Sequence, residues 1–207
     1  MNTFVWKRIH TKLKNFNDYV KTHKDYIYYY ITGIVEKMDT VSIQAQKHNL
    51  NGKWKLYYHL PQNNNWELSS YSVLMDNIDT IEQVISLNQG IHANILKSCM
   101  MFVMKDGISP MWEDKQNREG GCFSYKVINK NIAEVWKSLF YLLCGESLCD
   151  KKEQNDKVNG ITISPKKNFC IIKIWFSVSS FQDPKIIKDI QFLSREGCLF
   201  KKHVPEF

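Results

Sequence analysis

Three stretches of the chain carry apolar residues at spacings of three and four, which is the period of a helix with one buried face. The stretches are residues 79–90, 131–145 and 183–197. In the first stretch, Asp79 is a candidate N-cap with Glu82 as its capping-box partner. In the third, Asp183 is a candidate cap and Pro184 occupies the first turn. The pattern therefore predicts three helices.

Shorter runs between these stretches have the alternation or the continuous apolar character of strands. In residues 53–60, the side chains of Trp54, Leu56 and Tyr58 share one side of the alternation. The other predicted strands are residues 66–74, 99–105, 122–128, 160–164 and 169–178. Because the strands arrive in neighbouring runs, an antiparallel sheet with helices on one face is favoured. The sequence thus predicts an α+β fold whose second sheet face is free to bind a ligand.

The first 45 residues show a different pattern. Their apolar positions recur at helical spacing among basic residues, at Trp6, Ile9, Leu13, Phe16 and Val20. This predicts a basic amphipathic extension over residues 1–45 and a separate domain over residues 46–207. Two roles stay open for the extension: an arm packed on the domain, or a segment that binds RNA or a membrane surface.

Composition places the chain among globular proteins, because 43% of its 207 residues are hydrophobic and 24% are charged. The net charge of +7 favours anionic partners such as nucleic acid or nucleotides. The longest apolar run, residues 26–35, is well short of the roughly 20 residues of a membrane span. The N-terminus also lacks the apolar core of a signal peptide. We therefore expect a cytoplasmic protein without a membrane partner.

Motifs for metal binding and catalysis are missing from the sequence. The six cysteines form no CxxC pair and have no histidine at zinc-ligand spacing, so reduced thiols are expected. We find no clustered glutamates for a metal, no phosphate-cradling glycine loop and no nucleophile elbow. The sequence therefore predicts neither a cofactor nor a metal, and it argues against an enzyme.

Three tryptophans do not fit the core pattern well, whereas Trp54 and Trp136 lie on apolar stripes. Trp66 follows a polar loop, and Trp175 lies in a predicted strand. Trp112 lies beside Glu113 in a charged, turn-rich loop. Each of the three, taken singly, is also compatible with a core or rim position.

Together with Glu113, these tryptophans suggest a ligand. Two indole rings can sandwich a flat aromatic ring, and a positively charged ring adds a cation–π contribution of about 2 kcal/mol when desolvated. A carboxylate can accept two N–H bonds from the edge of a guanine, and lysines can bind phosphates. These requirements match N7-methylguanosine triphosphate, the 5′ cap of messenger RNA.

Five segments carry a resemblance to a known family, in order and with similar spacing. They are HNLNGKWKLYYH, NNNWELSS, KDGISPMWEDKQNREGG, EVWKSLFYLLCGES and IIKIW, within residues 46 to about 200. The chain resembles the eukaryotic initiation factor 4E family of cap-binding proteins, as a divergent member from a virus or a reduced eukaryote. The resemblance implies a curved antiparallel sheet with three helices on its convex face and a cap pocket on its concave side.

Site residues follow from the resemblance by position. Trp66 and Trp112 are the implied stacking pair, and Trp175 is implied to pack against the N7-methyl group. Glu113 is implied to read the guanine edge, while the backbone N–H of Trp112 bonds to the guanine O6. On this interpretation Trp112 is exposed because the ligand buries it.

The phosphate contacts depart from the family pattern. Cys122, Ser164 and Ile171 stand where the family has basic residues. The candidates to replace them are Lys166, Lys167 and Lys173. Solvated turn residues are the alternative reading of these lysines. The family's C-terminal loop over the cap has no clear counterpart, and we expect Lys201, Lys202 and His203 to cover part of its position.

The family's partner-binding surface is altered as well. Ile85 stands where the family has a tryptophan, and the predicted partner surface comprises Ile81, Ile85, Lys137 and Tyr141. The predicted function is non-enzymatic cap binding that promotes translation initiation, by a monomer that binds capped mRNA and a scaffold protein. The alternative is a repressor or sequestering protein that binds caps without recruiting that scaffold. A decapping enzyme and a general single-strand RNA binder are the further alternatives.

The extension contains a near-copy of the motif by which partners bind this family. Residues 29–35 place a tyrosine four residues before an isoleucine and another hydrophobic residue. We hypothesise that this arm lies across the partner surface, where tethering supplies a high effective concentration. Packing elsewhere as a strand or helix is the alternative.

Overall fold

The computed structural model describes residues 47–205. The predicted extension, including the partner-like motif at residues 29–35, lies outside the described residues. No helix in the described range is long and apolar enough to cross a bilayer.

One antiparallel sheet organises the described residues. Its strands are β1 (Asn49–His59), β2 (Ser72–Thr80), β3 (Met100–Lys105), β4 (Gly121–Ile128), β5 (Val158–Pro165), β6 (Phe169–Phe176) and β7 (Leu199–Lys202). They lie side by side in the order β2-β1-β3-β5-β6-β4-β7, and every neighbouring pair is antiparallel. The predicted α+β fold with a curved antiparallel sheet is confirmed. The edge strand β7 was not predicted.

The helices are α1 (Ile81–Gly90), α2 (Ala93–Leu96), α3 (Ile132–Cys144) and α4 (Lys152–Asn155), with short 3₁₀ turns at Leu68–Ser70 and Pro184–Ile186. The first two predicted helices are confirmed as α1 and α3. The predicted cap of α1 was wrong by one residue, because strand β2 continues to Thr80, which pairs with Asn49. Thr80 caps α1 and forms a capping box with Gln83, in place of Asp79 and Glu82.

The third predicted helix, residues 183–197, was wrong. Asp183 does accept a hydrogen bond from the backbone N–H of Lys185, but the turn stops at Ile186. Beyond it the backbone bonds to other segments: Ile187 pairs with Cys149, and the Lys188 N–H donates to the Leu148 carbonyl. These tertiary bonds replace the helical ones. The apolar residues behind the prediction are nevertheless buried, namely Ile187, Ile190 and Leu193.

The predicted strand over residues 66–74 also starts too early. Asn65 Oδ1 accepts a hydrogen bond from the Glu67 N–H, and Asn63 Oδ1 accepts one from the Asn65 N–H. Such local asparagine bonds favour turns over strand pairing. The strand therefore begins only at Ser72, and Trp66 stays in a loop.

The main core lies between one face of the sheet and the helices. It contains Trp54 and Trp136, each 1% exposed, as their apolar stripes predicted. Alternation along the strands sends the intervening side chains to the opposite face. We call that opposite face, which bears Tyr57, Phe102, Cys122 and Trp175, the open face.

Candidate nucleotide-binding site

Trp66 lies over a buried histidine at the end of β1. The Trp66 indole is 53% exposed and stacks on the His59 imidazole, with centroids 4.4 Å apart and planes 7° from parallel. His59 is itself held in place, because its Nε2 lies 2.9 Å from the Asn65 carbonyl oxygen. One indole face is thus supported by protein, and the exposed remainder is available to a second flat ring.

The loop that carries Trp112 is held by buried amide groups. Asn117 is fully buried, and its Nδ2 donates to the carbonyl oxygens of Ser109, at 2.9 Å, and Met111, at 2.8 Å. Asp114 Oδ2 accepts from the Ser109 N–H at 2.8 Å, and Asn159 Nδ2 donates to Asn117 Oδ1 at 2.9 Å. Because both backbone and side chains are bonded, the loop presents Trp112 in a defined position.

Trp112 is half-buried by protein groups. His203 stacks on it, with centroids 5.5 Å apart and planes 16° from parallel. Two ammonium groups also lie over its ring, Lys201 Nζ at 4.9 Å and Lys173 Nζ at 5.5 Å from the centroid. The expectation that only a ligand buries Trp112 was therefore wrong: its burial partners are partly within the chain.

The Trp175 side chain is more completely buried than its sequence context suggested. It is 3% exposed and pairs with Cys122 across the β4–β6 ladder. Its ring is tilted against His203, with centroids 4.8 Å apart. The Nε1 donor of Trp175 has no hydrogen-bond partner among the described residues. Trp175 therefore lies beneath His203 on the open face, with its indole donor buried.

His203 joins Trp112 to Trp175 and is held as a neutral ring. Its Nδ1 lies 2.7 Å from the Asn117 carbonyl oxygen, so Nδ1 carries the proton and donates it. Burial lowers the pKa of His203 below its ordinary value. Nε2 is then an acceptor, and it is buried without a partner in the described part of the chain.

Glu113 has an unsatisfied carboxylate near the centre of the site. It accepts no hydrogen bond and forms no ion pair within residues 47–205. Burial, with a smaller contribution from the Glu113 charge, raises the pKa of Tyr71 to about 12. The same charge acts in the raising direction on the pKa of His203. Glu113 therefore lies close enough to both side chains to act on them electrostatically.

Tyr71 is a site residue that sequence reasoning missed. Its ring meets Phe102 edge-on, with centroids 5.3 Å apart, and lies 5.1 Å from His59. Tyr71 thus connects the Trp66 side of the site to Glu113. An isolated aromatic residue among serines, in the sequence SSYS, was the signal available for it.

The candidate phosphate-binding lysines separate into two groups. Lys173 and Lys201 are together at Trp112, and both act to lower the pKa of Cys122, although burial raises that pKa overall. Lys166 and Lys167 lie in the β5–β6 turn, where the Lys166 N–H donates to the Phe169 carbonyl. No contact joins the turn lysines to a tryptophan in the described part of the chain.

The predicted partner surface lies on the helices, away from the open face. Ile81 and Ile85 on α1 are 44% and 39% exposed. On α3, Lys137 Nζ lies 5.8 Å from the centroid of the half-buried Tyr141 ring. The helices α1 and α3 pack against each other, so these four side chains lie on neighbouring elements.

Metal chemistry has no support in the described range. Within residues 47–205, no three His, Cys, Asp or Glu side chains come together to hold a metal ion. All six cysteines are free.

The fold and this site define an α+β protein with one antiparallel sheet, covered by helices on one face and presenting aromatic, acidic and basic groups on the other. Residues 49–202 match the family model described as Eukaryotic initiation factor 4E. The chain belongs to the eukaryotic initiation factor 4E family.

Two relatives and one solved structure give the degree of similarity. The chain is 31% identical to the Eukaryotic translation initiation factor 4E of Eremothecium gossypii over 163 residues, which cover 75% of this chain and 70% of that protein. It is 29% identical to the Xenopus laevis factor over 140 residues, which cover 64% of this chain and 63% of that protein. The match thus spans less than two thirds of the Xenopus factor's length.

The fold is similar to that of C. elegans eIF4E-3 in its complex with the 4E-binding protein Mextli and a cap analog. The TM-score is 0.58 at 23% identity, covering 65% of this chain and 77% of that chain. This likeness shows the fold.

Proposed function

We propose that the chain binds the N7-methylguanosine 5′ cap of mRNA on the open face, within the domain predicted over residues 46–207. One observation carries the proposal: a chain of contacts links the exposed Trp66, through His59 and Tyr71, to the vicinity of Glu113, the neighbour of Trp112. This chain of contacts supports a common site for the two tryptophans and the carboxylate of Glu113.

Stacking supplies affinity for the base. The methylated guanine lies between Trp66 and Trp112, and its positive charge adds a cation–π contribution of about 2 kcal/mol when desolvated. The histidines behind the two indoles, His59 and His203, restrict ring motion before the ligand arrives. Trp175 is the candidate contact for the N7-methyl group.

Glu113 and the backbone of Trp112 supply selectivity for guanine. The free carboxylate accepts two N–H bonds from the guanine edge, and such charge-assisted bonds are the stronger kind. The backbone N–H of Trp112 donates to no group among residues 47–205, so it is available to the guanine O6. Both groups reach the ligand without first breaking an internal bond.

Lys173 and Lys201 are the preferred contacts for the cap phosphates. Both ammonium groups lie over Trp112, and neither forms an ion pair with a carboxylate in the described range. They flank Cys122, the position where the family has a basic residue. Lys166 and Lys167, in the turn, are secondary candidates.

Cap binding of this kind needs no catalysis, and we propose a non-enzymatic factor that acts in the cytoplasm to promote translation initiation. The exposed Ile81 and Ile85 on α1, with Lys137 and Tyr141 on α3, are the proposed surface for a scaffold protein. A repressor or sequestering protein is the second candidate, because Ile85 offers a smaller apolar side chain than the tryptophan that the family pattern places there.

A paired titration tests the proposal. N7-methyl-GTP quenches the tryptophan fluorescence at lower concentration than GTP does, because only the methylated base carries the positive charge. Equal affinity for the two nucleotides contradicts cap recognition. Co-purification of a scaffold protein with the cap-bound chain separates an initiation factor from a repressor.

A further inference from the structure

The open face continues beyond the proposed cap site toward the β5–β6 turn. Alternation along β6 places Trp175, Lys173, Ile171 and Phe169 on this face in turn. The four residue steps along the strand from Lys173 to Phe169 span about 13 Å. The cap site is at the Trp175 end of this row, and the other end adjoins the β5–β6 turn that carries Lys166 and Lys167, the secondary phosphate candidates.

Apolar and basic side chains line the open face from Lys173 toward that other end. We call five of them the β4–β6 patch: Lys126, Ile128, Phe169, Ile171 and Leu199, of which Phe169 and Ile171 are half-buried and Leu199, on β7, lies across Ser124 from Lys173. Ile128 is 46% and Leu199 70% exposed, and Lys126 Nζ lies 4.5 Å from the centroid of the Phe169 ring. Lys126 forms no ion pair with a carboxylate in the described range. The patch therefore combines uncovered apolar surface with uncompensated positive charge.

Single-stranded RNA has the complementary chemistry, since it combines flat bases with a charged backbone. We propose that the β4–β6 patch binds the nucleotides that follow the cap, with a base stacked on Phe169 and a phosphate beside Lys126. The proposal rests on the proposed function, because an RNA whose cap is bound at Trp112 enters the row of β6 side chains at its Trp175 end. The two sites are continuous through Lys173, which lies over Trp112.

The Lys126–Phe169 contact is compatible with this role. An exposed cation–π contact is weaker than the stacking of a base on an aromatic ring. A base can therefore replace the ammonium group over Phe169, and the released ammonium group can reach the adjoining phosphate. A protein partner would gain from the apolar residues as well, but its recognition would not depend on a flat ring at position 169.

Two ligands separate the patch from the cap site: N7-methyl-GTP alone, and a capped RNA of about six nucleotides. We expect the wild-type chain to bind the capped RNA more tightly than N7-methyl-GTP. Phe169→Leu keeps apolar bulk but removes the stacking platform, and it should weaken capped-RNA binding by roughly tenfold. Its affinity for N7-methyl-GTP should stay unchanged, which also shows that the variant is folded.

The salt dependence of capped-RNA binding tests whether Lys126 contacts a phosphate. Lys126→Ala should lower the magnitude of the salt slope for capped RNA by about 0.7, the value for one lost phosphate contact on a single strand. Lys185→Ala removes the same charge from the exposed 3₁₀ turn at Pro184–Ile186 and serves as the matched control, which should leave the slope unchanged.

The outcomes distinguish the two proposals. The patch is overturned as an RNA site if the wild-type chain binds capped RNA and N7-methyl-GTP equally tightly. It is also overturned if Phe169→Leu keeps the full difference in affinity between the two ligands. A protein is then the remaining partner for the patch. If N7-methyl-GTP does not bind at all, the proposed function fails. In that case uncapped RNA binding that is sensitive to Phe169→Leu still supports the patch, and insensitive binding overturns it.

Discussion

His203 stacks on Trp112 with ring centroids 5.5 Å apart, although the two residues are 91 positions apart in the sequence. The contact places a titratable ring against the indole that is proposed to hold a cationic base. The Asn117 carbonyl accepts the Nδ1 proton of His203, and burial keeps the ring neutral. We therefore expect the protonation state of His203 to affect both the stability of the fold and the affinity for N7-methyl-GTP.

Acid should destabilise the folded chain through His203. Burial lowers its folded-state pKa below the ordinary value of 6.5, with Lys173 acting in the same direction and Asn117 and Glu113 opposing it. The unfolded state therefore binds the proton more readily, so stability is lost as the pH falls from about 6.5 through the folded pKa. Urea unfolding as a function of pH measures this loss, which should be smaller in His203→Phe.

Ligand affinity should follow the same titration. Protonated His203 puts a positive charge behind Trp112, where it repels the methylated base. N7-methyl-GTP binding should weaken in the wild-type chain as the pH falls through the folded-state pKa of His203, which lies below the ordinary 6.5, and it should weaken less in His203→Phe. Parallel pH profiles for the two chains would assign the effect to another group.

Trp66→Ala is the cleaner test of stacking. Because Trp66 is 53% exposed and Trp112 is half-buried, the Trp66 substitution removes less internal packing, chiefly the stack on His59. It should cost roughly 1–3 kcal/mol of cap affinity, with little change in the unfolding midpoint. Trp112→Ala should lose about 2 kcal/mol or more, and it should also destabilise the fold, since His203 packs on the ring. Full affinity in Trp66→Ala excludes the sandwich.

Glu113→Gln should be selective for ligand binding. The carboxylate bonds to no group in the described range, so no internal bond is lost on substitution. The amide presents an N–H to a guanine donor, and the cost should be about 1.5–3 kcal/mol in N7-methyl-GTP affinity. Calorimetric titration measures this cost. Asp79→Asn, which removes a carboxylate on the helix side, is the control.

The elements that could be predicted from sequence are those where local pattern and burial agree. The α3 stripe of Val135, Trp136 and Leu139 is an example, because the residues at helical spacing are also those the core covers. Residues 187–197 carry a similar stripe, but bonds to distant backbone decide their conformation. Local periodicity does not contain that information.

Some residues of the candidate site could likewise be predicted from the sequence, and others could not. Trp112 and Glu113 stand out because a tryptophan in a charged loop needs a partner. The supporting contacts of His59 and Tyr71 depend on which strands become neighbours, so single-sequence reasoning could not supply them. Lys201 was expected near the cap only from the family resemblance, and its contact with Trp112 depends on the pairing of β7 with β4.

The two candidate pairs of phosphate-binding lysines can be separated by mutation. Lys173→Ala combined with Lys201→Ala removes both ammonium groups over Trp112. We expect this double variant to lose most of the preference for N7-methyl-GTP over the monophosphate and to show a weaker salt dependence, because fewer counterions are released. Affinity for the monophosphate should change less, since stacking is unaffected.

Lys166→Ala combined with Lys167→Ala is the matched control, with the same loss of charge in the β5–β6 turn. Because no contact joins that turn to Trp112 in the described part of the chain, this variant should retain the triphosphate preference. Fluorescence titrations of both double variants with the two nucleotides decide the assignment. If the turn variant loses the preference and the Trp112-side variant keeps it, the phosphates extend toward the turn.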